Sequence, residues 1–119
     1  MINELISKLE DLGYPVAYGA ATSSEIKADD PWNYFVVTRT KTVIKSTSKY
    51  YEFTVNFIHE EYIPEGYEET IISKVQEIKN MRLRKDESID FTYSKKGNTN
   101  TALEIIMIPF KGMISKCPQ

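Results

Sequence analysis

One cysteine, one histidine and one tryptophan are all that the 119 residues hold of those three types. Cys117 has no second thiol to pair with, so an internal disulfide and a thiolate metal cluster are both excluded. A lone imidazole cannot build the multi-histidine ligand sets of catalytic zinc, and a serine nucleophile would need that same residue or a lysine in its place. No Gly-x-Ser-x-Gly elbow, Gly-x-x-x-x-Gly-Lys loop or Gly-x-Gly-x-x-Gly turn occurs. The common cradles for acyl transfer, phosphates and dinucleotides are therefore missing. Long apolar runs are missing too: the longest, Ile105 to Phe110, is far below the roughly 18 residues that a membrane-spanning helix requires. The first residues lack the basic start and apolar stretch of a secretory signal, so cytosolic synthesis is expected.

What is present is the composition of a soluble globular domain, with 41% hydrophobic and 27% charged residues. The formal charge of −2 conceals an uneven distribution. Residues 1–70 hold 12 acidic and 6 basic side chains, whereas residues 71–119 hold 5 and 9. Either the two portions interleave in the fold and the asymmetry has no spatial meaning, or the surface is bipolar and suited to head-to-tail association.

Ile2, Leu5, Ile6, Leu9 and Leu12 recur at helical spacing, and Gly13 with Pro15 stops the helix near Leu12. Residues 14–31 read as a connection, with a short strand at Pro15 to Tyr18. Trp32 to Thr40 and Tyr50 to Ile58 carry the aromatic and β-branched residues of two strands. Lys41 to Lys49 between them reads as a solvated hairpin tip. After Pro64-Glu65-Gly66, the stripe Tyr67, Ile71, Ile72, Val75 and Ile78 predicts a second helix that ends near Asn80 or Met81. Ile89, Phe91 and Tyr93 alternate with polar residues, Gly97-Asn98 marks a turn, and Ala102 to Pro109 gives a central strand. The expected fold is α+β in the order αββαββ, with two helices on one face of a mostly antiparallel four-stranded sheet. One domain over residues 1–112 and a flexible tail over 113–119 complete the expectation. Its core should hold Leu5, Ile6, Leu9, Leu12, Phe35, Val37, Phe53, Val55, Phe57, Ile71, Val75, Ile78, Phe91, Leu103, Ile105 and Met107.

The residues that invite chemistry are sparse. His59 is followed by Glu60 and Glu61, but alternate residues of a strand share a face, so only His59 and Glu61 could converge, and two ligands make a poor metal site. Glu60, Glu61, Glu65, Glu68 and Glu69 lack the alternating ligands and central glycine of a calcium loop and read as a solvated face. No catalytic, metal or cofactor residues are assigned. Basic residues collect at Arg39, Lys41, Lys45 and Lys49 and again at Arg82, Arg84 and Lys85, with Tyr50 and Tyr51 nearby. Against nucleic-acid recognition stand the pI of about 5.5 and the absence of a ribonucleoprotein-type motif.

The opening Ile2 to Leu9, the strand Tyr50 to Phe57, the helix Tyr67 to Lys79 and the closing Leu103 to Phe110 follow one another in an order that resembles the tail terminator proteins of long-tailed bacteriophages and the related tail-completion and head–tail joining proteins. The likeness lies in element order and hydrophobic pattern rather than in a diagnostic motif. It implies a protein without enzymatic activity or cofactor that forms a ring of its own copies, typically six, and meets other tail or head-connector proteins. It also implies assembly in the host cytoplasm and residence in the virion tail. The candidate subunit interface is Arg39, Lys41, Val43, Ile44, Lys45, Lys49, Arg82 and Arg84, with Val43 and Ile44 covered by the neighbour. A small cytosolic protein-interaction module is the alternative, ahead of a nucleic-acid-binding domain.

Overall fold

In the computed structural model, residues 1–19 and 32–115 are described. The elements are α1 (Ile2–Glu10), β1 (Val16–Tyr18), β2 (Tyr34–Ile44), β3 (Lys49–Glu60), α2 (Tyr67–Val75), β4 (Met81–Leu83), β5 (Asp90–Lys95) and β6 (Ala102–Ser115). The expected αββαββ order and four-stranded antiparallel sheet are thus corrected. The sheet has six strands in the order β1-β2-β3-β6-β4, β5 also pairs with β6, and the β1–β2 pair is parallel. Two three-residue strands account for most of the difference. The first lies within the short strand expected at Pro15 to Tyr18 and joins the sheet, and the second, too short to show a periodicity, pairs with the edge of β6.

Leu5 and Leu9 of α1 and Ile71 and Val75 of α2 meet one face of the sheet in a single cluster with Phe35, Val37, Phe53, Val55, Phe57, Ile106, Ile108 and Phe110. Phe35 and Phe57 stack at 4.6 Å, and Tyr14 and Tyr67 close around Phe57 at 4.9 and 5.2 Å. In β6 the inward set is Ile106, Ile108 and Phe110, not the expected Ile105 and Met107, which lie half-buried on the opposite face. A run of apolar residues without alternation does not reveal which parity faces the helices. Ile6 and Leu12 are half-buried, and Phe91 is 44% exposed because β5 is an edge strand exposed along its whole length. The opposite face carries Tyr34, Val36, Thr38, Thr54, Asn56, Ile105 and Met107, and no helix among the described residues covers it.

Three further expectations change. α2 ends at Val75, five residues early, and the chain turns through Ile78 to start β4. Lys41 to Lys49 is not a loose tip: β2 and β3 stay paired up to Ile44 and Lys49, leaving only residues 45–48 as the turn. β6 continues past Gly112, where the expected domain ends, and pairs Met113 with Tyr50 and Ser115 with Lys49. The hairpin and the end of β6 together make an arm, and the molecule measures 56 × 28 × 22 Å.

Pro109 sits inside β6, a central strand, where a proline ordinarily removes a ladder bond. Its carbonyl accepts from the Arg84 N–H at 2.9 Å on the β4 side. Since N–H and C=O of one residue point the same way in an antiparallel ladder, the absent donor also faces that side and costs β3 nothing. The edge strand breaks at this place: β4 stops at Leu83, residues 84–89 swing out, and β5 resumes opposite Met107.

Candidate functional site

Thr38 to Ile44 is rich in β-branched residues, which favour a pleated strand even where solvent reaches both faces. A bulge at Thr40 interrupts the β2–β3 register, and the Thr40 hydroxyl donates to the Glu52 carbonyl at 3.2 Å. Beyond the bulge, four strands line up one residue each on the open face of the sheet: Lys41, Glu52, Lys111 and Arg82. Three cations thus share a cross-strand row with a single carboxylate. Directly opposed charges of unlike sign stabilise such a row and like charges weaken it. Glu52 lies between Lys41 and Lys111 and separates them.

Glu52 is the one buried charged residue of the described chain, 6% exposed. Arg84, brought alongside by the swing after β4, donates to it at 2.9 Å and also to Asp86 at 2.9 Å, with Glu87 at 3.5 Å. The hydrogen bond from Arg84 holds the Asp86 carboxyl below the usual carboxylate range, helped by the charges of Arg84 and Lys111. Outward of the row, the ammonium groups of Lys45 and Lys111 lie 5.8 and 5.6 Å from the Tyr50 ring centre. These residues line a cleft of about 350 Å³ together with Leu83, Arg84, Lys85 and Asp86. On the other face of the arm, the Arg39 guanidinium lies 4.7 Å over the Tyr51 ring. Cations therefore already lie against both Tyr50 and Tyr51, the tyrosines that the sequence sets beside the basic residues.

All eight residues of the expected interface fall at this end of the sheet. Lys41, Val43, Arg82 and Arg84 lie on the open face, Arg39 and Ile44 on the helix side, and Lys45 and Lys49 flank the turn. Ile44 is 72% exposed, whereas Val43 is half-buried opposite Tyr50. The interface expected from sequence leaves out Lys85, which is named there only as a basic residue, and Glu52 and Lys111 are not singled out at all. Glu52 is legible only as a charge in a strand whose neighbours are apolar or aromatic, and Lys111 only once the parity of β6 is known. The cationic end draws on both sequence portions, on Arg39 to Lys49 and on Arg82 to Lys111, so those portions interleave.

The far end of the sheet is different. Eleven rises of about 3.4 Å along β3 set Glu60 roughly 37 Å from Lys49 at the tip of the arm. There Tyr62, Ile63, Pro64, Glu65, Gly66, Glu68, Phe91 and Glu104 line a cleft of about 300 Å³. Tyr62 and Tyr93 are 73% and 68% exposed beside it, and the Tyr93 hydroxyl donates to Glu104 at 2.7 Å. Glu60 is bonded by Lys96 at 2.6 Å, and that bond, with the Trp32 N–H, holds its carboxyl below the usual range. His59 packs against Tyr14 and Phe57, and its Nδ1 lies 2.7 Å from the Glu60 carbonyl oxygen. No group of three or more His, Cys, Asp or Glu side chains able to hold a metal ion occurs among the described residues. No family model matches the chain, and no curated protein matches it.

Proposed function

We propose that this chain is a non-enzymatic assembly component whose contact element is the cationic arm, and that it serves in a phage or prophage particle as a tail terminator or head–tail joining protein. The observation that carries the first part is the cross-strand row Lys41, Glu52, Lys111 and Arg82, buttressed by Arg84 on a projecting hairpin. Four paired strands hold the backbones that carry these charges in register, so a partner with an acidic surface would meet a pre-arranged row. The second part rests on the hydrophobic pattern of Ile2 to Leu9, Tyr50 to Phe57, Tyr67 to Lys79 and Leu103 to Phe110, since β1 and β4 alter the element order that also carried the resemblance. A general protein-interaction module would use the same arm.

Two measurements test it. The double variant Lys41→Gln, Arg82→Glu removes two of the row's three cations without setting a second carboxylate across from Glu52, and it should lose association with the partner while remaining folded by circular dichroism. Retained association would remove the arm as the contact element. For the particle, mass spectrometry of virions purified from the strain that carries the gene should find the chain at fixed stoichiometry to the major tail protein. Its absence from intact particles would overturn the phage reading and leave the interaction module.

A further inference from the structure

We propose that the free edge of β2 on the arm pairs, antiparallel, with the free edge of β5 on a second copy of this chain, so that the sheet continues from molecule to molecule. The inference rests on the arm being the contact element and adds its occupant. β1 covers β2 only as far as Val37, so Thr38 to Ile44 have no strand on their outer side among the described residues. Among the described residues β5 pairs with β6 alone, and it is exposed throughout. The two free edges bound opposite sides of one sheet, which makes their pairing heterologous and repeatable.

The strand directions agree. β2, β3, β6 and β5 are each antiparallel to the next, so β5 runs opposite to β2, and a copy placed beside the first without being turned over meets it antiparallel. Backbone donors point the right way as well. Lys45 N–H bonds Ser48 across the turn, and by alternation the N–H groups of Thr42 and Ile44 face outward. Lys96 N–H bonds Thr101 across the other turn, which leaves Phe91 and Tyr93 facing outward in β5.

Side chains complement each other face by face. In the register that sets Thr42 across from Tyr93 and Ile44 across from Phe91, the exposed Ile44 meets exposed aromatics on the helix side, and on the open side Lys45 comes to Asp90. Apolar meets apolar and cation meets carboxylate. That match singles out a second copy as the occupant. The arm and β5 lie at opposite ends of the strands, so successive copies are offset along the strand direction.

Proline at an outward-facing position removes an edge donor without touching the internal ladder, which gives Thr42→Pro for the arm and Tyr93→Pro for β5. Sedimentation of the whole chain over a concentration series should show the wild type growing beyond a monomer and each variant, folded by circular dichroism, staying monomeric. An equimolar mixture of the two should form a dimer and stop there, because each supplies the edge the other has lost. If Thr42→Pro is monomeric but Tyr93→Pro assembles like the wild type, this pairing is wrong and the arm still stands as the contact element. If the wild type assembles and neither variant changes its mass, both readings fall. A wild type that is monomeric at every concentration overturns the pairing alone. Hydrogen exchange gives an answer free of substitutions: the Thr42, Ile44, Phe91 and Tyr93 amides should slow at least about tenfold on assembly, and unchanged rates would refute the pairing.

Discussion

Arg84 and Glu52 are unequal partners, and the inequality predicts which substitution hurts more. Arg84 holds three carboxylates, Glu52, Asp86 and Glu87, so replacing Glu52 by Gln leaves the guanidinium well satisfied. The expected cost is that of one charge-assisted hydrogen bond made partly neutral, about 1 kcal/mol. Replacing Arg84 by Met instead strands a carboxylate whose side chain is 8% exposed. Breaking a fully buried pair in this way costs about 3–5 kcal/mol. Lys41 and Lys111 lie directly across from Glu52 on either side and partly compensate, so about 2–3 kcal/mol is expected here. With a urea slope of about 1.5 kcal/mol/M, Arg84→Met should lower the unfolding midpoint by roughly 1.3–2 M, and Glu52→Gln by less than about 1 M. The double variant should be no less stable than Arg84→Met alone, because the stranded charge has gone. Equal shifts for the two single variants, or costs that simply add, would refute the claim that Glu52 depends on Arg84.

Acid should weaken the fold through Glu60, Glu77 and Asp86, whose carboxyls are held low chiefly by hydrogen bonds from Lys96, Lys8 and Arg84 respectively. Their stabilising contribution is present above the unfolded carboxylate range, near pH 4, and is lost as pH falls through the lower folded values. A melting temperature that is flat from pH 7 to 5 and then drops is expected, with a shallower drop in Glu77→Gln; an unchanged slope in that variant would count against it. Phe57→Ala removes the ring that Phe35, Tyr14 and Tyr67 surround and should cost about 3–5 kcal/mol by urea titration, whereas a loss below about 1 kcal/mol would mean the cluster collapses onto the gap. At Gly112 an added Cβ would overlap the Met1 thioether and come within 3.2 Å of Met81 Cε. Both neighbours are ends of flexible side chains, so Gly112→Ala should cost no more than about 1 kcal/mol, and a larger loss would show them locked.

Much of the core was legible because Leu5 and Leu9, and Phe53, Val55 and Phe57, carry clear helical and alternating periods. β6 was not, since Ile105 to Ile108 offer the same hydrophobicity to both faces and only pairing with β3 decides between them. β4 is hidden by its brevity, whereas β1 lies within the short strand expected at Pro15 to Tyr18, and α2 is shorter than its spacing predicts because Ile78 continues the helical period into a turn. The cationic end was readable as a list of basic residues but not as a row. Lys41, Glu52, Lys111 and Arg82 stand far apart in the chain and become neighbours only through register.

β6 binds β3, β4 and β5, so the strand made last among the described elements is the one on which three others depend. Until it emerges during synthesis, β3 lacks one of its two flanks and β4 and β5 lack their only sheet partner. The nascent polypeptide can assemble the first hairpin against α1 but cannot complete a cooperative structure. Such late, long-range closure favours slow maturation and a vulnerable interval in which the bare edge of β3 is open to chaperones, proteases or a neighbouring nascent chain.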